Sequence, residues 1–427
     1  MKYKAYNFAV GKWQKEKLSW FHKTFFLKKC KKDKMKVIFV IQGEGRGHLT
    51  QALALGQMLR HEGHEVVKVL VGKSKNRVIP TFFEKQIGCG IEQFYSPNFR
   101  PSKDNRRFNL LRSITYNVAL IPSYVASINW MQRAIRASGA DIIINFYEVL
   151  CGITCKLFRM GIPMVCVAHQ YLFLHPDFKM PGKSLLPESM LKLFTRITCV
   201  GATAKLALSI RQYDDDEKQA IKVVPPLLRR EVKTTIRHHG NYIMGYMLNT
   251  GFAEDVKTWH AKHPHTHLHF FWDKSDAPEE LKVDDTLTFH RLDDVKFLRM
   301  MAGCRAYATT AGFESVCEAL YMGKPCMLIP AHVEQECNAM DAEREMAGVM
   351  SNDFDIDKLK AFAHDYEEDV EFRMWENLAD SRILAAIENT YEAYYHRKEN
   401  RAYEEEKDDS LVAASAAAVS ARSAWAG

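Results

Sequence analysis

The stretch from Thr309 to Ala339, TTAGFESVCEALYMGKPCMLIPAHVEQECNA, constrains the fold more than any other part of the chain. The apolar run just before it predicts a buried strand, and Ala311-Gly312 predicts a turn. Apolar residues then recur at helical spacing from Phe313 to Tyr321, and Gly323 ends this helix. A second apolar run, Cys326 to Ile329, predicts the next strand. The stretch is therefore typical of a strand–turn–helix–strand unit.

The predicted turn has the chemistry of an anion site. The first amides of a helix have no intrahelical partner, and the helix dipole adds about half a positive charge there. Gly312 lets the backbone approach a phosphate, Ser315 adds a hydroxyl donor, and Glu318 lies one turn further on the same face. A polar cluster follows the next predicted strand: Glu334, Gln335 and Asn338. Sites in a row for pyrophosphate, ribose and sugar predict a nucleotide-sugar ligand.

This stretch resembles the donor-site motif of GT-B glycosyltransferases. The most similar members are the UDP-glycosyltransferases and the enzyme that adds N-acetylglucosamine to the lipid-linked peptidoglycan precursor. The matching residues occur in the family's order and at compatible spacing: Gly312, Ser315, Glu318, Gly323, Pro325, Pro330, Glu334-Gln335 and Asn338-Ala339. Ala311 departs from the pattern, because a second glycine or a polar residue often occupies that position. The alternative is an ordinary βαβ unit that binds no nucleotide.

The resemblance implies roles for residues of this chain. Gly312 and the amides after it bind the diphosphate, and Glu318 binds the ribose hydroxyls. Backbone groups near Arg291 lie where these folds place the loop that reads the nucleobase. The full set of implied donor-binding residues in this stretch is Thr310, Ala311, Gly312, Phe313, Glu314, Ser315, Glu318, Glu334, Gln335 and Asn338.

A second glycine-rich loop, Gly43-Glu44-Gly45-Arg46-Gly47-His48, follows the first predicted strand. The third glycine is displaced from the GxGxxG pattern, and no acid suits a dinucleotide ribose, so the loop does not predict an NAD site. It resembles the N-terminal loop of the same glycosyltransferases, in which Gly-Gly-His precedes a helix rich in Ala and Leu. Arg46 replaces one glycine of that pattern. Gly45 and Gly47 are expected to contact the donor.

Inverting sugar transfer needs a base that accepts the proton of the acceptor hydroxyl. His48 is the first candidate, because its side chain alone in the glycine loop has an ordinary pKa near neutrality. Glu148 is the second, and both it and His169 follow predicted strands, where α/β active sites form. Two alternatives stay open: His48 only hydrogen-bonds the acceptor or a phosphate, and Glu148 is a helix cap.

Strands and helices alternate in both halves of the chain, which predicts two Rossmann-like parallel-sheet domains facing each other across a cleft. This is the GT-B fold that the resemblance implies. We predict the following organisation: a basic aromatic arm (1–34), an N-terminal acceptor domain (35–226), a linker (227–240), a C-terminal donor-binding domain (241–370), a C-terminal helix that packs back on the first domain (371–398), and a tail (399–427) that is disordered or a loose helix.

The positive charge is concentrated in the arm. The chain has a net charge of +7, residues 1–34 alone contribute +9, and the remainder sums to −2. The net charge of the folded part therefore does not favour nucleic-acid binding. Lysines interleaved with aromatic residues predict that the arm lies on an anionic membrane, unless it is an accessory extension or precedes a true start at Met35. Basic residues before the apolar segment Ile114 to Val125 predict a second membrane contact, and a buried helix is the alternative.

Cofactor and compartment are predicted from the cysteines and histidines. The ten cysteines contain no C-x-x-C pair, which favours reduced thiols in the cytoplasm. The sequence contains no run of eighteen apolar residues, so it does not predict a membrane-spanning helix. A histidine group (His260, His263, His265, His267 and His269) is interrupted by Pro264 and lacks a completing Cys or acid, so we expect no metal. The resemblance implies the same, because amides and the helix dipole neutralise the leaving diphosphate.

These features predict an inverting glycosyltransferase that uses a nucleoside-diphosphate-sugar, with UDP favoured. The acceptor is a sugar, a small molecule, or a lipid-linked or membrane-associated hydroxyl, and the protein is cytoplasmic, either free or peripheral at the inner face of the membrane. Two alternatives remain. An enzyme like UDP-N-acetylglucosamine 2-epimerase shares the fold but needs further acids and an Arg in the cleft. A nucleotide-sugar-binding protein without catalysis needs only the donor site.

Overall fold

The computed structural model describes residues 34–75, 77–98, 110–183, 185–248, 250–274 and 277–424. From Lys36 onward the described residues form one compact unit, which contains two seven-stranded sheets. Except for Lys34, the predicted basic arm lies outside the described residues. So does most of the basic stretch before Ile114.

The first sheet has the order β3-β2-β1-β4-β5-β6-β7, and all its neighbouring strands are parallel. Helices cover both faces, which explains why its central strands are almost wholly apolar. The strands are β1 (Lys36–Gln42), β2 (Glu65–Lys73), β3 (Ile91–Tyr95), β4 (Ile142–Phe146), β5 (Met164–Ala168), β6 (Ala204–Leu208) and β7 (Ile221–Val224). The helices are α1 (Gly47–His61), α2 (Thr81–Gln86), α3 (Leu110–Ala119), α4 (Ile121–Ala137), α5 (Val149–Phe158) and α6 (Leu185–Thr198).

The second sheet has the order β10-β11-β9-β8-β12-β13-β14 and is parallel apart from the edge strand β10. Its strands are β8 (Ile243–Met247), β9 (Leu268–Trp272), β10 (Glu280–Lys282), β11 (Leu287–Arg291), β12 (Ala306–Thr309), β13 (Cys326–Leu328) and β14 (Gly348–Met350). Its helices are α7 (Arg230–Thr234), α8 (Ala253–Lys262), α9 (Asp294–Gly303), α10 (Phe313–Tyr321), α11 (Val333–Arg344) and α12 (Ile356–His364).

Each sheet reverses its strand order once, between β1 and β4 in the first and between β8 and β12 in the second. Ligands of open α/β sheets bind at such switch points, beyond the carboxyl ends of the strands. The glycine loop follows β1, and the turn at Gly312 follows β12. Helices α1 and α10, which begin at these loops, contact each other. The fold therefore brings the two predicted glycine turns together.

Two C-terminal helices, α13 (Val370–Glu376) and α14 (Ala379–Ala424), follow the second sheet. The Trp375 indole donates to the Ser209 carbonyl over 2.9 Å, and the Tyr395 hydroxyl donates to the Asp141 carbonyl over 3.0 Å. Both carbonyls lie beside strands of the first sheet, so the end of the chain returns to it. Residues 399–424, expected to be disordered or a loose helix, continue α14. Among the described residues, no helix has the length and apolar character needed to cross a membrane.

The apolar residues from Ile197 to Ala202 predict a strand from the sequence alone, and this prediction is wrong. Helix α6 continues to Thr198, whose hydroxyl donates to the Thr195 carbonyl over 2.7 Å, and β6 begins only after a turn at Gly201 with φ 81. Short apolar runs do not distinguish a helix from a strand, which is the reason for the difference.

Candidate active site

The glycine loop is held close to both sheets. A Cβ at Gly43 would lie 2.5 Å from the Val71 side chain, so this position after β1 requires glycine. A Cβ at Gly47 would lie 3.3 Å from Cγ of Glu314, on α10 of the second sheet. At Gly45, by contrast, an added Cβ would meet open space. The loop thus approaches the second sheet through Gly47.

His48 lies at the start of α1 with its ring fixed on two sides. Its Nδ1 lies 3.0 Å from Oε1 of Gln51, and its ring stacks on Tyr147 with 5.7 Å between the centroids. Burial lowers the pKa of His48 below its ordinary value, and the hydrogen bond with Gln51 opposes that change. The ring is therefore neutral near pH 7, the state in which imidazole accepts a proton.

Glu148 is a buried cap of helix α5. Its Oε1 accepts hydrogen bonds from the Leu150 amide over 3.0 Å and from the Ser96 hydroxyl over 2.6 Å. Burial raises the pKa of Glu148 to about 7, against these two hydrogen bonds. Oε2 has no partner, and a Cβ at Gly72 would lie 2.2 Å from it. The geometry matches the capping alternative and leaves one oxygen able to hold a proton.

The turn after β12 is fixed by side chains around it. Ala311 has φ 50, in the left-handed region that favours glycine. This backbone conformation explains why related sequences often have glycine at this position. The Thr310 hydroxyl accepts from the Leu248 amide over 3.2 Å, and the Asn338 amide donates to the Ala311 carbonyl over 3.1 Å. Gly312 caps α10, and the Ser315 hydroxyl donates back to its carbonyl over 3.3 Å. These bonds fix the backbone of the turn at the start of α10, where the first amides of a helix have no intrahelical partner.

Glu318 is held by an arginine that we did not predict. Arg229, at the start of the segment between the sheets, donates from Nε over 3.1 Å and from Nη2 over 2.7 Å to Oε1 of Glu318. Arg229 also pairs with Asp294 of α9. Burial raises the pKa of Glu318, and the charge of Arg229 opposes the rise. Both contacts with Arg229 use Oε1 of Glu318.

Glu314 bonds across the two sheets. The Gln51 amide nitrogen donates to its Oε1 over 2.5 Å, whereas its Oε2 is buried without a partner. Burial raises the pKa of Glu314 to about 8, against the hydrogen bond from Gln51, and the neighbouring Glu318 adds to the rise. Near pH 7 the carboxyl therefore carries a proton for most of the time.

Further contacts join the loops after β5 and β13. The Phe313 ring stacks on His169, with 3.9 Å between the ring centroids, and burial lowers the pKa of His169 to about 4. The Gln170 amide donates to Glu334 over 2.8 Å. Gln335 accepts from the Ala331 amide over 2.8 Å, so it supports its own loop. These contacts connect the loops after β5 and β13 and the start of α10.

Arg46, the residue that departs from the family's glycine pattern, reaches the second sheet. Its guanidinium lies 3.0 Å from Asp273, which also pairs with Arg77 over 2.9 Å. Asp273 follows β9, so this cluster joins the two sheets at one side of the cleft. Arg291 lies at the end of β11 beside Trp272 of β9, and its half-exposed side chain pairs with Glu279 over 3.3 Å.

The predicted histidine group is dispersed among other partners. His260 pairs with Asp284 over 2.9 Å, and His269 lies 2.9 Å from His290. Across the described part of the chain, no group of three or more His, Cys, Asp or Glu is positioned to hold a metal ion.

Sequence reasoning missed Gln51, Arg229 and Asp273. Gln51 lies three residues after His48 on a predicted helix, so its place on the same face was available as a signal. Arg229 and Asp273 carried no comparable signal, because their partners are distant in sequence.

The chain matches the family model described as glycosyl transferase family 1 over residues 35–366. No curated protein sequence matches it. Similar solved structures include the Phytolacca americana UGT2 complexed with UDP-2fluoro-glucose and pterostilbene, with TM-score 0.56, 12% identity, and coverage of 83% of this chain and 99% of that one. The Arabidopsis thaliana UGT89C1 complexed with UDP-L-rhamnose has TM-score 0.54 and 14% identity, with coverage of 85% of this chain and 99% of that one. The glycotransferase of kitacinnamycin has TM-score 0.54 and 16% identity, with coverage of 86% of this chain and 99% of that one. This likeness confirms the predicted GT-B fold.

Proposed function

The chain belongs to glycosyl transferase family 1 and is a glycosyltransferase, and we propose that it transfers a sugar from a nucleoside-diphosphate-sugar to an acceptor hydroxyl with inversion of the anomeric carbon. One observation carries this proposal. His48 at the start of α1 is connected to the start of α10 through hydrogen bonds of Gln51 and Glu314, which joins the candidate base to the helix whose first amides would bind the diphosphate.

In the proposed reaction, His48 Nε2 accepts the proton of the acceptor hydroxyl. The acceptor oxygen forms a bond to the anomeric carbon while the bond from that carbon to the diphosphate oxygen breaks. The nucleoside diphosphate leaves with the electron pair, and attack from the opposite face inverts the configuration. The amides after Gly312 and the helix dipole stabilise the charge on the leaving group. For this reason we propose that no divalent metal is required.

UDP is the donor nucleotide that we favour. Two of the similar structures contain UDP-sugars, and the motif that includes Glu318 resembles that of UDP-glycosyltransferases. In our proposal Glu318 binds the ribose hydroxyls. Glu334, Gln335 and Asn338 line the side on which the donor sugar would lie.

Thermal stabilisation by a panel of UDP, GDP, dTDP and CMP sugars, with EDTA present, tests the donor site. A ligand at a hundredfold its Kd stabilises the folded state by about 2.7 kcal/mol. We expect stabilisation by one nucleotide class, lost in Glu318→Gln, which can still accept from Arg229. Glu371→Gln, an exposed acid on α13, is the matched control and should respond like the wild type.

Stabilisation that requires a divalent metal would overturn the metal-free proposal. Stabilisation without transfer to any acceptor would favour a nucleotide-sugar-binding protein instead. No response to any sugar nucleotide would contradict the proposed donor site.

We propose a lipid-linked or membrane-associated acceptor. Helices α3 and α4 expose Val118, Ile121 and Val125, at 59%, 52% and 51% of their surfaces, and basic residues precede them in the sequence. Apolar side chains flanked by basic ones are suited to an anionic bilayer. Such a protein would be cytoplasmic and peripheral at the inner face of the membrane, and the basic arm would add a second contact.

Co-sedimentation with vesicles containing anionic lipid tests this surface. We expect Ile121→Asp combined with Val125→Asp to reduce the bound fraction several-fold. Val295→Asp, at an exposed valine on α9, is the control and should leave binding unchanged. Equal binding of both variants would exclude α4 from the membrane contact and favour a small-molecule acceptor, as in the similar structures complexed with quercetin or pterostilbene.

A further inference from the structure

A chain of hydrogen bonds runs from the second sheet to the candidate base. Glu314 on α10 accepts from the Gln51 amide nitrogen, and Gln51 Oε1 lies 3.0 Å from Nδ1 of His48. The first of these bonds is buried and joins residues 263 positions apart. Gln51 itself is buried on α1. The candidate base in one half of the molecule is therefore connected to the donor helix in the other half.

The direction of the hydrogen bonds along this chain follows from the orientation of the Gln51 amide, whose nitrogen faces Glu314 and whose oxygen faces His48. Oε1 of Glu314 accepts a hydrogen bond, either as a carboxylate or as the carbonyl oxygen of a carboxyl that holds its proton on Oε2. Gln51 accordingly directs its NH2 toward Glu314 and its carbonyl oxygen toward His48. A carbonyl oxygen only accepts, so Nδ1 of His48 must carry the ring proton. Nε2 is left with its lone pair free.

We propose that Gln51 and Glu314 are positioning residues that hold His48 in the Nδ1–H tautomer, so that Nε2 is free to accept the acceptor proton. The inference rests on the proposed function for its catalytic meaning. No proton passes along the chain: Nδ1 keeps its proton throughout, and the substrate proton goes to Nε2. The Tyr147 ring, stacked on His48, restrains the ring plane but does not select the tautomer.

The two charged side chains near Glu314 act in opposite directions on its ionisation. Glu318 lies near Glu314 on the same helix and opposes its ionisation, whereas Arg229 favours it. On α1, Gln51 is the hydrogen-bonding partner of Glu314, and it is neutral. The reverse orientation, in which a proton on Oε1 of Glu314 faces the carbonyl of Gln51, would direct the NH2 toward His48. Nδ1 would then accept a hydrogen bond and Nε2 would carry the ring proton. A protonated Nε2 cannot accept the proton of the acceptor hydroxyl.

The tautomer of His48 can be measured without any substrate. In full-length protein labelled with 15N-histidine, long-range 1H–15N correlation spectra distinguish a protonated Nδ1 from a protonated Nε2, and His48→Ala assigns the signal among the 17 histidines. We expect the Nδ1–H form in the wild type and a shift toward Nε2–H in Gln51→Met. Gln57→Met, the same substitution at a half-buried position on α1, should retain the Nδ1–H form. The Nε2–H form in the wild type would overturn the inference.

Kinetics test whether the two residues act as one unit. We expect Gln51→Met to lower kcat about ten- to a hundredfold, less than the loss of the base itself, with the donor KM within about twofold. The acid limb of the pH–rate profile should move to lower pH, because the bond with Gln51 raises the pKa of His48. The double variant Gln51→Met, Glu314→Leu should lose no more in kcat than Gln51→Met alone. If the losses in kcat of the two single variants multiply in the double variant, the two residues do not act through one chain of hydrogen bonds.

The two proposals fail in different ways. If no sugar nucleotide supports transfer but the spectra show the expected tautomers, the proposed function falls and the hydrogen-bond chain stands as a structural feature. If transfer occurs but Gln51→Met changes neither tautomer nor pH profile, the positioning role is wrong and the function stands. Near-UV circular dichroism of each variant confirms that it has folded.

Discussion

Replacing His48 with alanine is expected to lower kcat for sugar transfer by about 10²–10⁴-fold, the usual contribution of a positioned base. This corresponds to about 3–5 kcal/mol of lost transition-state stabilisation. His48 is neutral near pH 7, fixed by Gln51 and Tyr147, and located at the glycine loop that faces the donor helix. The measurement is the steady-state rate with the sugar nucleotide identified by thermal stabilisation.

Donor binding separates the roles that we considered for His48. We expect the His48→Ala variant to be stabilised by the donor as much as the wild type. His61→Ala, at the exposed end of the same helix, is the matched control for rate and fold. A variant that loses donor binding together with activity would indicate that His48 binds a phosphate. An undiminished rate would assign the base elsewhere, with Glu148 as the next candidate.

Replacing Arg229 with alanine is expected to lower the free energy of unfolding by about 3–5 kcal/mol. Arg229 is buried and pairs with two carboxylates, Glu318 and Asp294. Removing one partner of a buried ion pair leaves the other charge uncompensated, which costs much more than the net value of the pair. The substitution should also weaken donor binding, because Glu318 loses the two donors that orient it.

Urea denaturation and donor-induced stabilisation measure the two effects of Arg229→Ala. Arg230→Ala, one residue later and exposed at the start of α7, is the control and should change the free energy of unfolding by less than about 0.5 kcal/mol. Arg229→Lys keeps the charge but loses the planar pair of donors, so we expect an intermediate effect. Equal stability of the Arg229→Ala and Arg230→Ala variants would mean that the buried pair contributes nothing.

The donor stretch was predicted well because its signals are local. Helical spacing from Phe313, a glycine after the helix, and a short apolar run correspond to α10, the turn at Gly323 and β13. The same kind of reasoning failed at Ile197 to Ala202, where a threonine hydroxyl bonds to the helix backbone and α6 continues. Periodicity over a few apolar residues does not separate these cases.

The sequence by itself determined the alternation of strands and helices, the two glycine turns, and hence the GT-B class and the types of group available at the site. The tertiary structure alone decided which of these groups meet. Arg229 and Glu318 lie 89 residues apart, and Gln51 and Glu314 lie 263 apart. Hydrogen bonds depend on distance and angle to within tenths of an ångström, and only the packing of one sheet against the other sets these values. Local patterns report which face of an element is buried, but not the partner that it meets there.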